Sequence, residues 1–125
     1  MYVVNRTRGT YLGVDVEHAN TFRARMLGLY GHRKLPLGDG VWLVPCVGVQ
    51  TIGMKRPIDV VFLNSAGCVV RIYENLRAGR VILWVPGARS ALELPAGVVA
   101  SSETKVGDTV EFVDSLSRET AGVEP

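Results

Sequence analysis

A small mainly-β domain, either a β-sandwich or a partly closed barrel with one short α-helix, is the fold class this sequence predicts. Short apolar segments recur at tight spacing, Gly-, Pro- and Asn-rich punctuation separates them, and only one stretch carries a helical period. A length of 125 residues suits one hydrophobic core. The 47% hydrophobic and 21% charged residues are the composition of a compact chain. The expected domain covers residues 1–114, and the polar, patternless stretch 115–125 reads as a loosely ordered tail.

Tyr2-Val3-Val4 and Tyr11 to Val16 read as an opening hairpin across a polar turn containing Gly9. Leu12, Val14 and Val16 alternate with Gly13 and Asp15, the period of a half-buried strand. Phe22, Met26 and Leu29 then recur at helical spacing behind an Asn20 or Thr21 cap, and Gly31 supplies a stop, so the predicted helix runs from Thr21 to Tyr30. His32 to Gly40 is a loop, and Val41 to Val44 a strand that Pro45 ends. Val47 to Ile52 is a second strand, weakened by Gly48.

Ile58 to Leu63 is almost unbroken in its apolar character, which implies cover on both faces and makes it the predicted central strand. Asn64-Ser65-Ala66-Gly67 turns it back into Cys68 to Tyr73. Val81 to Val85 and Ala91 to Leu94 flank a turn at Pro86-Gly87, a short helical turn is expected at Gly97 to Ser101, and Thr109 to Val113 is the last strand.

Fourteen basic and 12 acidic residues leave a net charge of +2, too near balance to predict a nucleic-acid or membrane partner from electrostatics, so neither partner is expected. Residues 1–89 carry 12 Lys/Arg against 5 Asp/Glu and residues 90–125 carry 2 against 7, which reads as strands whose outer faces pair across a sheet in preference to a basic binding face, since no aromatics interleave with the basic residues. Cys46 and Cys68 show no CxxC spacing and sit in apolar strings as small hydrophobes. No secretory pattern opens the chain and no apolar run reaches the ~20 residues of a membrane helix, so a cytoplasmic location is expected.

Four pieces carry a family resemblance: Ala19-Asn20-Thr21 running into Arg25-Met26-Leu27-Gly28-Leu29; Gly40-Val41-Trp42-Leu43-Val44-Pro45; Gly53-Met54-Lys55-Arg56-Pro57-Ile58-Asp59-Val60-Val61-Phe62; and Leu92-Glu93-Leu94-Pro95-Ala96-Gly97 followed by Gly107-Asp108. Together, over residues 10–113, they resemble the prokaryotic family known as domain of unknown function 192. The resemblance implies a small jelly-roll-like β fold and brings no agreed activity, cofactor or catalytic residue. Some members are exported, and one branch carries His-Thr where this chain has Gln50-Thr51, so a family-wide role for that histidine would fail here.

Asp59 is the most informative residue. It interrupts the apolar run, and a buried carboxylate requires a partner. Arg25, Arg56, Lys55 or amides of the Gly53-Met54 loop are the candidates, with an Arg25–Asp59 pair preferred. The structural reading is a carboxylate that clamps the loop, and the sharper one a general base in an apolar cleft. Glu93 alternates with Leu92 and Leu94 and reads as a solvated strand position or a groove carboxylate. Asp108 reads as a turn residue.

Met54, Trp42 and Trp84 read first as core, although a Gly-Met loop beside a proline also suits the rim of an apolar pocket. His18, His32 and Cys46 share no metal-ligand spacing, and neither a Gly-x-Ser-x-Gly elbow nor a phosphate-binding glycine pattern occurs. Three functional readings follow. The first is a non-catalytic domain binding a small ligand or protein segment near Gly53–Asp59 through Arg25, Thr51, Met54, Asp59 and Glu93, with no cofactor and no metal. The second is a small enzyme using Asp59 with Glu93 as an acid-base pair, for which the two carboxylates must converge on one cleft. The third is an assembly partner, marked by an exposed apolar patch without a cleft.

Overall fold

The computed structural model describes residues 1–19 and 38–114. The predicted helix at Thr21 to Tyr30, with Arg25 on it, and the tail 115–125 lie outside the described residues. Ten strands and one short helix follow in order: β1 (Tyr2–Asn5), β2 (Thr10–Gly13), β3 (Asp15–Ala19), β4 (Asp39–Leu43), β5 (Val49–Gln50), β6 (Ile58–Leu63), β7 (Val69–Leu76), β8 (Val81–Ile82), β9 (Ser90–Pro95), α1 (Val98–Ser101) and β10 (Val110–Val113). They form a five-stranded sheet in the order β3-β4-β9-β6-β7, a three-stranded sheet β10-β1-β2 and a two-stranded ribbon β5-β8. The described residues are therefore mainly β, in several sheets, with no closed barrel.

The five-stranded sheet is apolar on both faces. On one side Val61, Leu63, Leu92 and Leu94 meet Val3, Leu12, Val110 and the α1 residues Val98 and Val99. On the other, Ile58, Val60, Phe62 and Ala91 meet Val49 and Val85, with Ile82 packed against them. Successive side chains of a strand alternate between faces, so a strand covered on both sides is buried at every position. This holds for β6 and for β9, each buried throughout. The expected central strand, Ile58–Leu63, is thus an interior strand, while β9 takes the middle place.

Two expectations are corrected. Residues Tyr11 to Val16 are not one strand. The chain bends at Val14, which is 48% exposed, and passes from the three-stranded to the five-stranded sheet, leaving Leu12 and Val16 in the same core. The bend is held by Val14 and Asp15, whose amides both donate to the Gly38 carbonyl at 2.7 and 2.8 Å. The strand expected over Val81 to Val85 stops at Ile82, because its partner β5 is only two residues long. Trp84, expected in the core, is consequently 67% exposed. Trp42 does pack against the core, stacked between His18 and Phe112 at centroid distances of 4.8 and 3.7 Å.

The ribbon is pressed closely together at Gly48, where a Cβ would lie 2.4 Å from the Ile82 carbonyl oxygen and 2.5 Å from that of Leu83. Both obstacles are backbone, so the strands would have to part. Gly48→Ala is expected to free the Val85 amide, which donates to the Val47 carbonyl at 2.8 Å, while sparing the five-stranded sheet. Amide hydrogen exchange reads this directly: faster exchange at Val85 with unchanged protection of Val60 to Phe62 is the expected pattern.

Candidate functional site

Asp59 sits where the β6–β7 ladder slips. Ile58 pairs with Leu76 and Val60 with Tyr73, so Glu74 and Asn75 together oppose Asp59 in a bulge. The Asn75 amide, in a residue with φ of 53°, is thereby lost to the ladder and donates instead to Asp59 Oδ1 at 2.9 Å. Asp59 Oδ2 accepts from the amides of Gly97 and Val99 at 3.0 and 2.9 Å. Those are first-turn donors of α1, whose own capping residue is a glycine without a side-chain acceptor. One carboxylate from a strand therefore caps a helix and repairs a bulge.

This geometry revises the expected role of Asp59. Its donors come from Asn75, Gly97 and Val99, not from the Gly53-Met54 loop, and the side chain is fully buried. Asp59 pairs with Leu94 and Val60 with Glu93, and paired residues share a face. Asp59 thus points toward α1, whereas Glu93 points toward the core under the ribbon. The two carboxylates do not converge, so no single substrate fits between them as an acid-base pair would require. Glu93 is also buried rather than solvated, because β9 is covered on both faces.

Thr51 is buried beneath the ribbon and lines no open surface. Its Oγ1 donates to the Arg77 carbonyl at 2.6 Å and accepts from the Arg80 amide at 2.8 Å, pinning the β7–β8 turn to the loop after β5. Gly53, at φ of 86°, closes the turn in which the Met54 amide reaches the Thr51 carbonyl. Met54 tucks against the core while Ile52 is left 53% exposed.

Above this frame stands a surface that the sequence reading passed over. Val47, Ile52, Val81, Leu83 and Trp84 are exposed along the ribbon and its loops, Leu83 to 84%. Backbone bonds make them neighbours: Val85 to Val47, Thr51 to Arg80, and Gln50 opposite Val81. Segments 45–57 and 77–89, which build this face, contain Lys55, Arg56, Arg77, Arg80 and Arg89 and no Asp or Glu. All five cations are exposed. The signal was present as two acid-free stretches, but their union depends on β5 pairing with β8.

A second polar cluster lies on the far side, at the three-stranded sheet. Arg8 grips Asp108 with Nε to Oδ2 at 2.9 Å and Nη2 to Oδ1 at 3.1 Å, and Asn5 Nδ2 and the Lys105 amide also donate to Oδ2. Asp108 does more than close its own turn, although its bond to Lys105 fits that expectation. Arg8 first, then Asn5 and the Lys105 amide, hold its carboxyl down at about 2 against the opposing effect of burial. Beside it, Arg8, Glu74, Glu103 and Lys105 help line a concavity of about 520 Å³ with charges of both signs. Among the described residues, no three or more His, Cys, Asp or Glu are grouped to hold a metal, and no helix is long and apolar enough to cross a membrane.

A family model for DUF192, described as "Uncharacterized ACR", matches residues 3–112. The chain is 29% identical over 115 residues to "UPF0127 protein PF1050" of Pyrococcus furiosus, covering 88% of this chain and 97% of that protein. It is 27% identical over 115 residues to a "UPF0127 protein" of Thermococcus sibiricus, covering 88% and 73%. Its fold is similar to the crystal structure of a protein of unknown function from Novosphingobium aromaticivorans, with a TM-score of 0.78, 22% identity, and coverage of 90% of this chain and 84% of that one.

Two measurements test the geometry. Asp59→Ala leaves three amides without their acceptor and is expected to destabilise the fold by about 3–5 kcal/mol, with Asp59→Asn losing less, as read by urea denaturation. An Asp59→Ala protein with the parental midpoint would refute the clamp. Asp108 titrates lower in the folded chain than its ordinary 3.8, so its contribution is present above that pH and is lost as pH falls toward 2. Arg8→Gln should therefore lower stability above about pH 4, with the two profiles converging as the pH falls toward 2, and a difference that stays constant over this range would contradict the pairing.

Proposed function

The chain belongs to the DUF192 family, which hands down no reaction, and from its own surface we propose that it is a non-catalytic binding domain whose contact face is the β5–β8 ribbon. One observation carries this reading: exposed apolar side chains are concentrated where five cations stand without an acidic residue. Isolated exposed hydrophobes are ordinary on a protein surface, but a contiguous set rimmed by one sign of charge is the composition of a docking face. The proposal keeps the Gly53 loop as the site and assigns Thr51 and Met54 to its support. Asp59 and Glu93 stay in the scaffold, being buried on opposite sides of the sheet.

The assembly reading uses the same face, since an exposed apolar patch without a cleft is what it requires. An acid-base enzyme is disfavoured because its two carboxylates diverge. We read the domain as cytoplasmic, supported by cysteines that form no disulfide. A jelly-roll-like description of the stacked sheets belongs to the same reading and draws on the family resemblance.

Anilinonaphthalene sulfonate, an anionic aromatic amphiphile, matches the chemistry of this face and serves as a probe. The folded protein is expected to bind it with energy transfer from Trp84. Leu83→Asp should weaken binding at least roughly tenfold, in line with the about 1.5–3 kcal/mol that burying one such side chain contributes. Thermal stability should stay within about 0.5 kcal/mol of the parent, since Leu83 is exposed. Dye binding that is indifferent to both Leu83→Asp and Trp84→Ser would remove the contact face from consideration.

A further inference from the structure

We infer that the ribbon face docks on the surface of an anionic lipid bilayer. The inference rests on the reading of that face as the contact surface and names its partner. Three properties point to a bilayer rather than to a protein segment.

The first is shape. Leu83 and Trp84, exposed to 84% and 67%, stand beside the Pro86-Gly87 turn, and neither lines the concavity of about 520 Å³. The concavity beside Arg8 and Lys105 adjoins α1, across the five-stranded sheet from the ribbon. A peptide is held in a groove or added to a strand edge. Here the ribbon strands are two residues long, too short to template an added strand. A fluid interface needs neither groove nor edge.

The second is the state of the backbone around Leu83 and Trp84. The Val85 amide is bonded to Val47, Ala88 to Val85, Thr51 to Arg80 and Gly79 to Thr51. These bonds fasten the segments on either side of Leu83 and Trp84, so the two side chains are presented from an anchored loop. Tryptophan suits the boundary between headgroups and acyl chains, having a large apolar body and one polar N–H.

The third is charge. Lys55, Arg56, Arg77, Arg80 and Arg89 lie exposed in the segments that build this face, and none is ion-paired with another described residue. On the far side Arg6 is paired with Glu111 and Arg8 with Asp108, which leaves Lys105 as the unpaired cation of that cluster among the described residues. Among the described residues, five of the cations without an ion pair therefore belong to the two segments that carry the exposed apolar side chains. A near-zero total charge concealed this, and the expectation of no membrane partner had rested on that total. Each basic residue near an anionic leaflet strengthens binding roughly fivefold, and the effect fades with salt.

The test is co-sedimentation of the full chain with vesicles of phosphatidylcholine alone or with about one-third phosphatidylserine, alongside tryptophan emission. Expected are binding to the anionic vesicles, a blue shift that Trp84→Phe abolishes, and weakening by salt. R77E together with R80E should cost at least roughly tenfold in partitioning, and Leu83→Asp a similar factor. Equal binding to neutral and anionic vesicles would overturn the inference. Intact dye binding with no vesicle binding would overturn it while leaving the contact face standing, whereas loss of both would remove the face itself. Tighter binding to a soluble Glu- and Leu-rich peptide than to anionic vesicles would assign a protein partner and overturn it as well.

Discussion

The arrangement of this domain depends on one carboxylate buried in its most apolar strand. Asp59 draws together three amides that regular structure leaves over: one at a bulge in β7 and two at the start of α1. An unpaired buried amide is costly, and so is an unpaired carboxylate, but together they cancel. The helix turn that covers one end of the core is thereby fastened to the central sheet through a strand some forty residues earlier, a separation of 40 between Asp59 and Val99. Glycine at 97, with φ of 99°, makes the fastening possible, since its left-handed backbone starts the turn without a side chain to compete for the amides.

From that anchor the rest follows in layers. The five-stranded sheet is greasy on both faces and demands cover on both. One face receives the three-stranded sheet and α1, and the other receives the ribbon, which is too small to be stable as a free hairpin. The ribbon stays in place because Val49 and Val85 are buried and because Thr51 ties the adjoining turn. With its inner side spent on packing, its outer side is available for other uses. Scaffold and contact face are thus divided between different residues, and the polar groups that look most chemical in the sequence belong to the scaffold.

That division explains how the site was misread in one dimension. Asp59 stands out because a polar residue in an apolar string implies burial, and Thr51 and Glu93, expected at a binding surface, are buried as well. Burial measures how strongly a residue is held, not whether it meets a ligand. Trp84 reads as core because apolar strings imply strands, yet the strand ends when its two-residue partner runs out. Asp108 was given a local turn, whereas its strongest partner, Arg8, is 100 positions away in the chain.

What the sequence determined by itself is local and periodic: a mainly-β chain, the identity of most strands, an interior strand at Ile58–Leu63, and a carboxylate that had to find donors. These follow from period-two patterning, turn chemistry and the cost of burying charge, which need no knowledge of neighbours. Which amides answer Asp59, which faces Asp59 and Glu93 take, and which basic segment joins the one that carries Trp84 were decided only when distant segments met. Strand order and pairing register set all three, and neither is encoded in the residues nearby.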